Sequence, residues 1–127
     1  MQQQGFIQCG QAGQAAYLAG LAAEDSAERD YVARGYRLVT RRFRGRRGEI
    51  DLILQKGRQT VFVEVKKSRT HARAAWRMTP DKCARLYETG VQFLATQPDG
   101  LETDCRFDLA TVDQAGAVEV LENVLMQ

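Results

Sequence analysis

The stretch Gly48–Lys67, GEIDLILQKGRQTVFVEVKK, decides the fold because it is typical of two strands joined by a turn. The strands are predicted around Glu49–Gln55 and Thr60–Lys67. If residues 56–59 form the turn, the last residue of the first strand lies opposite the first residue of the second. This register places three apolar cross-strand pairs on one face: Leu54 with Val61, Leu52 with Val63, and Ile50 with Val65. Three consecutive apolar pairs support the register strongly.

The other face of this hairpin carries charged residues at one end. The same register puts Asp51 opposite Glu64, and Glu49 opposite Lys66. Two like charges at a separation of about 4.5–5.5 Å destabilise a sheet, so Asp51 and Glu64 are expected to share a proton or bind a cation. Carboxylate oxygens suit Mg²⁺ or Mn²⁺, and Lys66 would steady a phosphate or orient a nucleophile. The alternative is a structural ion network in which Glu49 pairs with Lys66.

Two helices are predicted on either side of the hairpin in the sequence. Residues from Gln11 to Arg34 follow a helical period, and Gly35 suits the position that ends a helix. A second helix is indicated by Thr79 as its cap and by Pro80 at its first position. The predicted apolar stripe of this second helix contains Cys83, Leu86, Tyr87, Gly90, Val91 and Leu94.

Further strands complete the predicted sheet. One is expected from Tyr36 to Arg42, and one or two more follow the second helix, at Cys105–Val112 and Ala117–Leu121. The order of helix, three strands, helix and one or two strands predicts an α/β fold with a central mixed sheet flanked by helices. Arg106 and Asp108 are two residues apart on one strand, and we expect a structural salt bridge between them.

Length and composition limit the class of protein. The 127 residues, 44% hydrophobic and 27% charged, suit one globular domain with a real core. No apolar run approaches the roughly 20 residues of a membrane helix, and the start has no signal-peptide pattern. Residues 1–10 are expected to form a flexible polar tail and residues 11–127 a single domain. Three cysteines without metal-ligand spacing indicate free thiols in a reducing cytoplasm.

Positive charge is concentrated in one segment of the chain. Residues 34–77 hold 14 of the 18 Lys and Arg side chains and only three acids. A basic block of that density suits the phosphate backbone of nucleic acid, although a solvated charged face gives the same pattern. The residues predicted to bind nucleic acid are Arg41, Arg42, Arg44, Arg46, Arg47, Lys67, Arg69, Arg73 and Arg77.

A third carboxylate is predicted from the first helix. Glu24 shares the predicted apolar stripe of that helix, which also contains Tyr17, Leu18, Leu21 and Tyr31. A buried glutamate needs a partner, and a helix lying across the hairpin would point Glu24 at Asp51. Alternatively, Glu28 and Arg29 pair locally on the edge of the helix.

These residues lead to a resemblance. The segments GEIDLI (48–53), VFVEVK (61–66) and RFD (106–108) closely resemble the YraN family of uncharacterised bacterial proteins. More distantly, the motif resembles the PD-(D/E)xK nuclease superfamily and archaeal-type Holliday junction resolvases. The resemblance covers roughly residues 20–112. Two positions depart from the family pattern: Arg42 stands where Asn is usual, and Ser68 where Arg is common.

The resemblance implies residue roles. In those enzymes the site consists of an Asp at a strand end, an acid-x-Lys element on the next strand and a Glu on the first helix. By motif position, the catalytic roles fall on Asp51, Glu64, Lys66 and Glu24, and the three acids would bind the metal. Ser68 matches a serine that often follows the lysine in resolvases, so it is expected to support the site together with Glu49.

The resemblance also implies a fold and a function. It predicts a restriction-endonuclease-like fold and a Mg²⁺- or Mn²⁺-dependent DNA endonuclease acting on branched or structured DNA, with a homodimer by analogy to resolvases. One alternative is a nucleic-acid-binding module on a nuclease fold that does not cut. Another is an assembly partner whose basic face meets RNA or an acidic protein.

Overall fold

The computed structural model describes the backbone of residues 2–68 and 78–125, and the side chains of residues 13–68 and 78–125. Its helices are α1 (Gln2–Ala33) and α2 (Pro80–Leu94), with a short 3-10 helix at Gly100–Glu102. The strands are β1 (Arg37–Arg44), β2 (Glu49–Lys56), β3 (Gln59–Lys67), β4 (Cys105–Val112) and β5 (Val118–Leu121). Within the described residues, no helix is long and apolar enough to cross a membrane.

The five strands form one mixed sheet in chain order. Strands β1, β2 and β3 are antiparallel neighbours, β3 and β4 are parallel, and β4 and β5 are antiparallel. The parallel step requires a crossover, and α2 lies within it. Helices α1 and α2 cover opposite faces of the sheet. The predicted α/β, restriction-endonuclease-like architecture is therefore confirmed.

The register predicted for β2 and β3 is confirmed over the part of the hairpin near its turn. Leu52 pairs with Val63, and Gln55 pairs with Thr60. One further pair, Lys56 with Gln59, shortens the turn to two residues. A two-residue hairpin turn needs a positive φ, and Gly57 supplies it with φ 60°.

Beyond Leu52 the predicted register is wrong. The β2–β3 ladder ends at Leu52, so Ile50, Asp51 and Glu49 do not continue it to Val65, Glu64 and Lys66. Instead, the Asp51 side chain accepts a hydrogen bond of 2.8 Å from the backbone N–H of Val65. Two like charges cannot lie opposite each other in a ladder without repulsion, and the strands separate where those charges lie.

The two faces of the sheet carry separate cores. Leu52, Leu54, Val61 and Val63 pack beneath α1, together with Ala27 and Tyr31. Ile53, Phe62 and Phe107 pack beneath α2, together with Leu86, Phe93 and Leu94. Ile50 belongs to the α2 core, whereas the sequence predicted it on the same face as Leu52 and Leu54, which lie beneath α1. The alternation of side chains along β2 therefore changes at Asp51.

Helix α1 packs on the sheet through its C-terminal half. Ala23, Glu24, Ala27 and Tyr31 are buried, whereas Tyr17 and Leu18 are 55% and 54% exposed. The predicted stripe was therefore wrong at its N-terminal end. A helix of 32 residues is about 48 Å long, which exceeds the width of a five-stranded sheet. The helix begins at Gln2 rather than at Gln11. The flexibility of residues 1–10 and the single domain over residues 11–127 stay predictions.

Helix α2 begins as predicted. The Thr79 side chain accepts a hydrogen bond of 3.2 Å from the N–H of Lys82, and Pro80 occupies the first turn. The predicted stripe is shifted: Leu86, Gly90 and Leu94 are buried, but Tyr87 is 58% exposed and Thr89 and Phe93 are buried in addition. Cys83 and Cys105 are free thiols, as predicted for the cysteines; the side chain of Cys9 lies outside the described ones.

Gly90 allows α2 to approach β4 closely. A Cβ atom at this position would lie 2.5 Å from Cζ of Phe107. We expect Gly90→Ala to lower the free energy of unfolding by about 1–2 kcal/mol, since the steric cost exceeds the gain in helix propensity. Urea denaturation measures this. Gly20→Ala is the matched control, because a Cβ atom added there would meet no neighbouring side chain within 4 Å and the helix should gain about 0.5–1 kcal/mol. A stabilised Gly90→Ala variant would contradict the close packing.

Asp108 ties α1 to β4 through a buried network. Its carboxylate accepts hydrogen bonds from the Tyr31 hydroxyl (2.7 Å), from Arg106 Nε (2.9 Å) and from the Asn123 N–H (3.0 Å). Asp108 is 1% exposed. Burial and the charge of Asp108 raise the pKa of Tyr31 far above its ordinary range, so its hydroxyl stays a donor. The structural salt bridge predicted for Arg106 and Asp108 is confirmed.

Candidate functional site

The candidate site lies where β2 and β3 separate. Asp51 comes from β2, and Glu64 and Lys66 come from β3. The backbone N–H of Val65 fixes the Asp51 carboxylate between the strands, at 2.8 Å. On the far side, β3 continues to pair with β4 through Glu64, so this half of the site rests on a rigid ladder. The sequence predicted that these three side chains lie together, and the structure brings them together.

The two carboxyl groups repel each other. Burial, followed by the negative charge of Glu64, raises the pKa of Asp51 from 3.8 to about 7. The Val65 N–H and the Lys66 ammonium lower this pKa but do not cancel the increase. Asp51 therefore binds a proton near neutral pH. When that proton leaves, Asp51 adds a second negative charge beside Glu64.

Lys66 lies beside Glu64, with 3.3 Å between its Nζ and the Glu64 Oε1. Both side chains are largely buried, at 17% and 12% exposure. Burial acts to lower the pKa of Lys66, but the negative charges of Glu64 and Asp51 and the hydrogen bond to Glu64 outweigh it and raise the pKa. Lys66 therefore stays an ammonium at the pH where Asp51 titrates.

Lys82 is a site neighbour that the sequence did not predict. It lies in the first turn of α2 and contacts the side chain of Lys66. The only local signal was its place directly after the Thr79-Pro80-Asp81 helix start. Nothing in its spacing from β3 indicates the contact, because the crossover after β3 separates Lys82 from Lys66 in the sequence.

Glu24 is buried, as predicted, but its partner is a different one. Its two carboxylate oxygens each accept a hydrogen bond of 3.2 Å from the Arg42 guanidinium. The approach of Glu24 to Asp51 stays a prediction. The alternative of local pairing is wrong, because Glu28 pairs with Arg41 at 2.8 Å and Arg29 donates to Ser26 at 3.4 Å. Over the side chains that the structure describes, no three acidic, His or Cys residues form a ready metal-binding group.

Asp51 and Glu64 have the chemistry that a divalent cation requires. Both are hard oxygen donors. Burial and the charge of Glu64 raise the pKa of Asp51, and a cation would take the place of the proton that Asp51 then binds. Mg²⁺ usually keeps several waters and binds proteins through one or two carboxylates. The pair therefore fits Mg²⁺ or Mn²⁺ without a third protein ligand.

Several predicted phosphate contacts are paired with acids of the same chain. Arg41 lies 2.5 Å from Asp25 as well as near Glu28. Arg47 pairs with Glu88 at 2.9 Å, and the backbone N–H of Arg46 donates to Gln92. Exposed pairs of this kind are weak, so a phosphate can replace the carboxylate. Lys67 is exposed at the end of β3, whereas Arg69, Arg73 and Arg77 lie outside the described residues.

The two supporting residues are placed at the edge of the site. Glu49 pairs with Arg44 at 3.4 Å, so the predicted pairing of Glu49 with Lys66 is wrong. The cause is the end of the β2–β3 ladder, which leaves Glu49 opposite Arg44 on β1. Ser68 follows β3 directly, and its backbone N–H donates to the Val112 carbonyl at 3.0 Å. Its supporting role stays a prediction.

The comparisons with known proteins give one family. Residues 23–112 match the model of the uncharacterised protein family UPF0102. A member from Roseobacter denitrificans is 53% identical over 91% of this chain and 90% of its own length. A member from Ruegeria pomeroyi is 54% identical over 84% and 87%, and one from Cereibacter sphaeroides is 45% identical over 87% and 95%. The matched span includes all four predicted catalytic residues.

Proposed function

Because this chain belongs to the uncharacterised protein family UPF0102, the YraN family, we propose a function from its own site. In this proposal the protein is a divalent-metal-dependent DNA endonuclease that hydrolyses phosphodiester bonds. One observation carries the proposal: Asp51, Glu64 and Lys66 lie together where β2 and β3 separate, on a sheet built like that of restriction endonucleases.

Each residue of this group has a role in the proposal. Asp51 and Glu64 hold Mg²⁺ or Mn²⁺, which when bound polarises a phosphoryl oxygen and acidifies a water molecule. Lys66 stays protonated beside Glu64, and its ammonium neutralises charge on the phosphate or orients the attacking water. The N–H of Val65 orients Asp51. Branched or structured DNA as the substrate, a homodimer and a cytoplasmic location belong to the proposal through the resemblance to resolvases.

One observation favours a second function, a nucleic-acid-binding module that does not cut. The third predicted carboxylate, Glu24, is already neutralised by Arg42 at 3.2 Å. A basic segment without turnover would still bind phosphates, and its affinity would fall steeply with salt.

A cleavage screen separates the two functions. The substrates are single-stranded, duplex, flap and four-way-junction DNA, each with Mg²⁺, Mn²⁺ or a chelator. We expect cleavage only with metal, and Lys66→Ala is expected to slow it by about 100-fold or more, since its charge stabilises the transition state. Lys56→Ala is the matched control, because Lys56 lies at the other end of β2 and donates to the Arg34 carbonyl.

Two results would contradict the endonuclease. One is the absence of cleavage and of Mg²⁺ or Mn²⁺ binding in a protein that still binds DNA with a steep salt dependence, which supports the binding module. The other is metal-dependent cleavage that survives unchanged in Lys66→Ala, which points to a contaminating nuclease or to a different site.

A further inference from the structure

Arg42 has an unusual backbone conformation. It lies inside strand β1 with φ 54°, in the left-handed region that side chains with a Cβ rarely adopt. For residues other than Gly, Asn and Asp this costs roughly 1–2 kcal/mol. Such strain persists only where the surroundings impose it, and it is common at functional sites.

The Arg42 side chain is held in a defined position. Its Nε and Nη2 donate to the two oxygens of Glu24 in parallel, at 3.2 Å each. Its guanidinium carbon lies 5.3 Å from the ring centre of Tyr17, a stacking distance. Glu24 is 7% exposed, so its carboxylate needs a partner of opposite charge. The Arg42 side chain is 35% exposed, so solvent and larger anions reach it.

Arg42 also lies next to the candidate metal site. On β1, its neighbours Arg41 and Phe43 pair with Leu52 and Ile50 of β2. Arg42 therefore lies across the ladder from Asp51. Glu24 of α1 contacts β1 at Arg42, and Asp51 of β2 lies across from the same residue. The Arg42 guanidinium neutralises Glu24.

We propose that Arg42 is an exchangeable counterion of Glu24. A phosphodiester backbone takes the guanidinium, and Glu24 is released to the divalent cation beside Asp51. The two forked hydrogen bonds that Arg42 makes to a carboxylate are the same ones that it makes to a phosphate, so the exchange keeps its donors satisfied. Glu24 exchanges one cationic partner for another and stays neutralised. This inference rests on the proposed metal site.

The exchange couples metal binding to DNA binding. If DNA frees Glu24, then DNA raises the metal affinity, and by reciprocity the metal raises the DNA affinity by the same factor. Without Arg42, Glu24 has no guanidinium partner and can bind the metal in the absence of DNA. Metal affinity is then high before DNA binds, and DNA no longer changes it.

Manganese titration by calorimetry tests the inference in the absence of DNA. Arg42→Asn removes the guanidinium and suits the left-handed backbone. We expect it to raise the Mn²⁺ affinity at least about 5-fold. Arg41→Asn is the matched control: it removes the same charge one residue away, from a pair with Asp25 and Glu28 on the same helix. We expect it to change the Mn²⁺ affinity less than about 2-fold, because Arg41 pairs with Asp25 and Glu28 and its loss does not free Glu24. Adding Glu24→Gln to Arg42→Asn is expected to remove the gain.

A second titration measures the coupling. It uses a short DNA duplex and the Lys66→Ala background, in which cleavage is expected to be slower by about 100-fold or more. DNA is expected to raise the Mn²⁺ affinity at least about 5-fold when Arg42 is present and to have little effect after Arg42→Asn.

The results distinguish the two proposals. The counterion role of Arg42 is overturned if Arg41→Asn and Arg42→Asn change the Mn²⁺ affinity equally, or if DNA still raises that affinity after Arg42→Asn. The metal site itself then stands, provided that Asp51→Asn abolishes Mn²⁺ binding. Mn²⁺ binding that neither Asp51→Asn nor Arg42→Asn changes overturns both proposals. Circular dichroism melts of each variant show that a lost affinity is not a lost fold.

Discussion

Asp51→Asn is expected to make the protein more stable at pH 8 and, at the same time, to abolish its stabilisation by Mg²⁺. The pKa of Asp51 is raised to about 7 in the folded protein, chiefly by burial and the charge of Glu64. The folded state therefore binds this proton more tightly than the unfolded chain. The contribution of Asp51 to stability is fully present below about pH 4 and is lost as the pH rises through about 7. Above that pH the wild type carries an uncompensated carboxylate that the asparagine variant lacks.

The size of this effect follows from the shift in pKa. At pH 8 we expect Asp51→Asn to raise the free energy of unfolding by on the order of 2 to 4 kcal/mol, and at pH 5 by much less. The asparagine carbonyl oxygen still accepts from the Val65 N–H. Its amide group donates to Glu64 instead of repelling it. Thermal melts at the two pH values, with and without Mg²⁺, measure the difference.

The wild type should respond to Mg²⁺ where the variant does not. A ligand that binds only the folded state stabilises by about 1.4 kcal/mol at ten times its dissociation constant. Asp81→Asn is the control of opposite sign, because its hydrogen bond with Arg85 lowers the pKa of Asp81. Asp81→Asn should therefore not raise the free energy of unfolding at pH 8. A less stable Asp51→Asn variant at pH 8 would contradict the repulsion between Asp51 and Glu64.

The second large effect concerns Asp108. Asp108→Ala is expected to lower the free energy of unfolding by about 3–5 kcal/mol, because it leaves the Nε of Arg106 and two further donors without their acceptor. The donors are the Tyr31 hydroxyl and the Asn123 N–H. Within the described side chains, every buried nitrogen and oxygen atom has a hydrogen-bond partner, so the loss of Asp108 would leave buried donors that are now satisfied without one.

A graded series tests the network. Tyr31→Phe removes one hydrogen bond and should cost about 1 kcal/mol, whereas Asp108→Asn removes the charge and should fall between the two. Glu88→Ala breaks the exposed pair with Arg47, whose side chains are 46% and 57% exposed, and is expected to cost less than about 1 kcal/mol. Urea denaturation gives the free energies. If Asp108→Ala costs no more than Glu88→Ala, the network does not hold α1 to β4.

The sequence predicted those parts of the fold that local patterns determine. The register from Leu52 to Gln55 followed from the turn and from apolar pairs, and the start of α2 followed from Thr79 and Pro80. The end of the ladder did not follow, although the reason was visible: the like charges of Asp51 and Glu64 oppose pairing. Pair rules describe strands that stay paired, and they do not state where a strand leaves its partner.

The candidate site was predictable in its residues and only partly in its contacts. Asp51, Glu64 and Lys66 share a short segment, so the hairpin alone placed them together. Glu24 and Arg42 lie on different elements, and their contact depends on how α1 crosses the sheet and on a strained backbone that no propensity predicts. Lys82 reaches Lys66 only through the packing of α2.

The strand order has a consequence for how this chain is made. Each strand of the sheet lies beside the one that precedes it in the sequence. During synthesis on the ribosome, every new strand can therefore dock on the free edge of those already formed, and no earlier pairing has to open to admit a later strand. Only one step has to wait for a long segment, residues 68–104, before β4 joins β3. Asp51, Glu64 and Lys66, which lie on β2 and β3, can therefore come together before that step begins.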